Sequence, residues 1–74
     1  MSRTARRLVR HEGTVLTYDA AAGYGTVGGA RGEWFFHCTA IADGSRSIQE
    51  GSTVTFGVVP GRSGRYEAID VHPT

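Results

Sequence analysis

The chain has 74 residues, enough for one small domain and too few for two independent cores. It carries one cysteine, so no disulfide framework supplements the ~60% of unfolded surface that a domain of this size buries. The net charge of +1 hides an asymmetry: Arg3, Arg6, Arg7 and Arg10 precede residue 12, whereas residues 12 to 74 hold four arginines against seven acids. No run approaches the ~20 apolar residues of a membrane span, and the basic start leads into no apolar signal core. The expectation is a monomeric, cytoplasmic protein with no membrane association.

In chain order, the first element is a basic arm. Arg3, Arg6, Arg7 and Arg10 stand at i, i+3, i+4 and i+7 and would share one helical face, but few apolar residues oppose them. Residues 1–10 are therefore expected as an arm running into a first strand, with residues 11–74 as a single domain. All eight cations of the chain are arginine, whose guanidinium grips phosphate bidentately and stacks on bases.

Glycine and proline then cut the chain into short β-branched or aromatic segments, which read as five strands. The first runs from about Arg7 to Tyr18. After a tight connection at Ala20 to Ala22, the second covers Gly23 to Gly28, and a glycine turn leads to the third at Glu33 to Cys38. A longer connection, Thr39 to Gly51, precedes the fourth at Thr53 to Val59. Pro60-Gly61-Arg62-Ser63-Gly64 is a turn, because proline fixes φ and the glycines accept positive φ, so the fifth strand, Arg65 to Val71, closes a hairpin. In the fourth strand, alternation separates Val54, Phe56 and Val58 from Thr53, Thr55 and Gly57. Five short strands without a covering helix leave open edges, and a sheet of this size removes them by closing on itself. The fold class expected is all-β, a five-stranded antiparallel barrel.

Enzyme and cofactor chemistry finds no support. Gly23, Gly25 and Gly28 spell GxGxxG, but a dinucleotide fingerprint needs a helix next, and Gly29-Ala30-Arg31-Gly32 and another strand follow instead. His37 and Cys38 are neighbours expected on opposite faces of a strand with no second cysteine near, so no metal site is expected. His11 and His72 read as solvated histidines. Nothing pairs a nucleophile or base with an orienting group, so no catalytic residue and no cofactor is expected.

What stands out is a run of aromatics and glycines: Tyr18, Gly23-Tyr24-Gly25, and Trp34-Phe35-Phe36-His37. The glycines leave the Tyr24 ring uncovered, and Phe35 and His37 share one strand face, which makes a stacking surface. Trp34 and Phe36, on the other face, are expected in the core. The order of these residues resembles the bacterial cold-shock domain from Gly13 to Val71. Gly13-Thr14-Val15 resembles its opening strand, Ala22-Gly23-Tyr24-Gly25-Thr26-Val27 its first RNA-binding motif, and Trp34-Phe35-Phe36-His37-Cys38 its second. Thr39-Ala40-Ile41, Glu50-Gly51, the Val54 and Phe56 pair, and Ala68 to Val71 continue the order.

The resemblance implies an OB-type barrel that binds single-stranded RNA or DNA by stacking bases, as a nucleic-acid chaperone or regulator of gene expression. It implies base contacts at Tyr24, Phe35 and His37, an edge position for Tyr18, and core positions for Val15, Val27, Trp34, Phe36, Ile41 and Val54. The chain departs from the family pattern at Thr17, Thr26 and Cys38, where the family has aromatics, at Ala22, where it has lysine, and at Ser45 and Arg46, where another aromatic is missing. At ~1–3 kcal/mol per stacked base, three lost rings correspond to ~3–9 kcal/mol of binding. A division of labour is therefore expected, in which Arg3, Arg6, Arg7 and Arg10 supply electrostatic affinity, Arg62 and Arg65 assist from the last hairpin, and the rings hold one to three bases. The alternative is a protein-interaction module that has kept the barrel while losing most nucleic-acid binding.

Overall fold

The computed structural model describes residues 9–61 and 64–74. Five strands follow one another as β1 (His11–Asp19), β2 (Tyr24–Gly29), β3 (Gly32–His37), β4 (Thr53–Pro60) and β5 (Tyr66–Pro73), with a short 3-10 turn at Cys38–Ala40. They close into a barrel in the order β1-β2-β3-β5-β4. The strand centres lie where alternation and glycine punctuation put them, and the ends move by a few residues: β1 begins four residues later than expected, and β5 extends two further.

One feature differs from the expectation of a purely antiparallel barrel. β3 and β5 run parallel, with Phe35 opposite Glu67, and Ile41 continues that direction by bridging Val71. The reason is parity. Strands that alternate in direction around a closed ring must be even in number, so a ring of five has to contain one parallel pair. Here the 39–51 connection crosses one end of the barrel, delivers β4 against β1, and leaves β5 beside β3 in the same sense.

The core consists of Val15, Val27, Phe36, Ile41, Val54, Phe56, Ala68 and Val71, all buried. Trp34 is half-buried rather than fully enclosed and packs against this cluster. His11, expected in solvent, instead packs against both Trp34 and Phe56, with ring centroids 5.6 and 5.7 Å away.

Two irregularities set which side chains face out. In β1 the register to β2 shifts between Val15 and Thr17, so Leu16 is an extra residue. Such a bulge re-aims everything after it. Without it, alternation from Val15 would turn Thr17 inward and Tyr18 outward; with it, Thr17 is exposed and Tyr18 packs on the core. The second shift lies between β4 and β5 at Thr55 to Gly57, where Asp70 adopts φ 53, a left-handed conformation uncommon for a residue with a side chain.

Candidate nucleic-acid interface

The outward side of β1, β2 and β3 can be read as rows across the sheet. One row is Asp19, Tyr24 and His37; the next is Thr17, Thr26 and Phe35, continued on β5 by Glu67; a third is Thr14, Gly28 and Glu33. The three rings expected to hold bases are thus brought together. Tyr24 and Phe35 lie 5.3 Å apart at a 38° tilt, and His37 meets Phe35 edge-on at 5.0 Å. Tyr24 keeps 46% of its surface exposed, and Phe35 is half-covered by the two flanking rings. Offset and edge-to-face contacts of this kind hold the rings in place while leaving faces open for a further flat group.

Local backbone geometry makes this possible. Gly23 sits at φ 82, turning the chain sharply into β2. Gly25 is buried, and a Cβ there would run into the Thr17 carbonyl and come within 3.1 Å of the Phe36 ring. Its hydrogen lets Tyr18 lie on Phe36 with ring centroids 5.8 Å apart and ring planes nearly parallel.

Tyr18, expected at the edge of the stacking surface, is therefore on the opposite side of β1 from Thr17, and the bulge at Leu16 is the cause. Its hydroxyl donates to the Arg46 carbonyl at 2.7 Å, and its amide donates to the Glu50 carboxylate at 3.0 Å. Partial burial raises its phenol above the ordinary tyrosine value, and the neighbouring Cys38 thiol adds to the effect. Tyr18 braces the 39–51 connection against the barrel.

Of the expected arginines, Arg3, Arg6, Arg7 and Arg62 lie outside the described residues, and Arg65 is exposed just before β5. Arg10 is engaged by the barrel. Its Nη1 lies 3.0 Å from Asp70 Oδ2, and its Nη2 donates to the Asp70 carbonyl and to Thr55 Oγ1 at 3.0 and 2.9 Å. His72 approaches the same carboxylate at 3.3 Å. These groups are well exposed, so the ion pair contributes at most ~1 kcal/mol. Its effect is positional, because it ties the residue before β1 to β4 and β5.

Two features of this face did not stand out as contacts in the sequence. Thr17 and Thr26 are bonded to each other, Oγ1 to Oγ1, at 2.9 Å. Beside Phe35, His37 and Glu67 border a cleft completed by Pro60 and Gly61. Both depend on cross-strand register, which a single sequence does not display. Cys38 starts the 3-10 turn after β3, and its amide donates to the Gly23 carbonyl at 2.8 Å. Among the described residues no three metal-binding side chains gather, and no helix is long and apolar enough to cross a membrane.

A closed five-stranded barrel with exposed rings on adjacent strands defines the class of small OB-type domains that use one sheet face for recognition. The chain belongs to the 'Cold-shock' DNA-binding domain family, whose model matches residues 11–74. This is a family of nucleic-acid-binding domains and not of enzymes. Among solved structures, the chain is similar to Drosophila Unr CSD456, with a TM-score of 0.75 and 28% identity. That likeness covers 90% of this chain and 27% of the other, so the chain spans about a quarter of the length of that relative. The comparison with curated proteins yields no match.

Trp34 provides an internal check on the facing of β3. Packed against Phe56 and His11 on the inward side, it is expected to fluoresce at blue-shifted wavelength and to be little quenched by added oligonucleotide. Strong quenching would put the indole on the binding side.

Proposed function

We propose that this chain binds single-stranded RNA or DNA without any enzymatic step, seating one to three bases on Tyr24, Phe35 and His37, as a nucleic-acid chaperone or regulator of gene expression. The observation that supports it is the contiguous outward group of three rings on β2 and β3, within 5.0 and 5.3 Å of one another, in a domain of the cold-shock family. Rings in such an arrangement accept any base, because every base has a π face. The row of Phe35 continues into two threonines, so stacking stops after a few nucleotides, and the arm makes up affinity through phosphate contacts.

Arg10 anchors the arm, while Arg3, Arg6 and Arg7 are its contribution to phosphate binding, with Arg62 and Arg65 assisting from the last hairpin. Titration with a short unstructured oligonucleotide at low salt is the direct test, read by the resonances of Tyr24, Phe35 and His37. Shifts confined to that face support the reading. Absence of saturable binding at high micromolar concentration would favour the protein-interaction alternative. Deleting Met1 to Arg7 removes three cations, and at ~0.7 per phosphate the slope of log affinity against log salt is expected to fall by about 2. An unchanged slope would remove the arm from the mechanism.

A further inference from the structure

Within the proposed nucleic-acid reading, on which this inference rests, the Thr17–Thr26 pair has a specific use. The two residues are cross-strand partners, Thr26 is in turn the partner of Phe35, and their hydroxyls are hydrogen-bonded at 2.9 Å on the side of the sheet that carries the rings. The bulge at Leu16 is what brings Thr17 to this side. A hydroxyl is one donor and two acceptors, so once one hydroxyl has donated to the other, the pair retains one free O–H and several lone pairs. Neither residue offers a face for stacking.

Adjacent strands are ~4.8 Å apart, so Thr26 stands one strand away from the ring of Phe35, about the distance from the middle of a stacked base to the 2′ position of its own sugar. A phosphate oxygen reaching the pair could only accept. A ribose 2′-hydroxyl both donates and accepts, so it uses the free O–H and a lone pair of the pair together. We infer that the Thr17–Thr26 hydroxyl pair reads the ribose 2′-hydroxyl of the nucleotide seated on Phe35, and that it makes the face selective for RNA over DNA of the same sequence.

The test compares hexamers of uridine, deoxyuridine and 2′-O-methyluridine on the full chain and on the near-isosteric variants Thr17→Val, Thr26→Val and the double substitution. The full chain is expected to bind the ribose strand about 10-fold more tightly than the deoxyribose strand, as for one added neutral hydrogen bond. The methylated strand, which has lost its donor, should bind more weakly than the ribose strand. In the double variant the ratio should fall to about one with deoxyribose binding unchanged. Equal binding of ribose and deoxyribose strands by the full chain overturns the inference, as does an equal loss of both in the double variant, which would mean that the hydroxyls touch phosphate or base. Failure to bind all three strands overturns the nucleic-acid reading itself. Thermal melts of each variant separate any loss of fold from loss of contact, and Thr→Ser substitution, which keeps the hydroxyls, is expected to preserve the ratio.

Discussion

Replacing Phe35 by alanine is expected to weaken binding of a short pyrimidine strand by about 5- to 150-fold, the ~1–3 kcal/mol carried by one stacked base. The loss should lie at the high end. Phe35 is the middle ring of the group, touching Tyr24 at 5.3 Å and His37 at 5.0 Å, so its removal also frees both neighbours to turn. The fold should survive, because Phe35 lies outside the buried cluster. Unaltered affinity, measured by fluorescence anisotropy with a labelled strand, would refute the stacking face. The melting temperature serves as control and should move little.

The same substitution one residue further on has the opposite consequence. Phe36 is fully buried, is among the largest side chains of the core, and carries Tyr18 on its ring. Phe36→Ala is expected to cost ~3–5 kcal/mol, combining lost transfer energy with a cavity the closed barrel cannot collapse. A domain of this size has only ~4–11 kcal/mol in all. Urea denaturation followed by circular dichroism should show a midpoint lowered severely, or no cooperative transition at all. Phe36→Leu should lose far less. A Phe36→Ala protein with near-normal stability would mean that the core is not organised about this ring.

That neighbouring phenylalanines face opposite sides of β3 was legible in the sequence, because strand alternation is local and the glycines mark where strands stop. The reading of Val15, Val27, Ile41 and Val54 as interior came from the cold-shock resemblance, and there they lie. What it missed required knowledge of partners. Tyr18 is turned inward and Thr17 outward by one extra residue in β1, and a bulge announces itself only through register with β2. The docking of Arg10 depends on Asp70, sixty residues away, taking up a left-handed backbone conformation at a second bulge. That a ring of five strands holds a parallel pair could have been deduced once closure was assumed, whereas its location between β3 and β5 depends on where β4 docks.

Val54 of β4 lies between Gly13 of β1 and Pro73 of β5. Strands from near the two ends of the barrel thus meet on one central strand, and the ring stays open until both have docked on it. A nascent chain emerging from the ribosome would hold β1, β2 and β3 as an open meander with Val15 and Val27 wet, and would seal only when Val71 and Pro73 had cleared the exit. Shortening the tail by even a few residues therefore threatens the whole cylinder rather than fraying one edge of it.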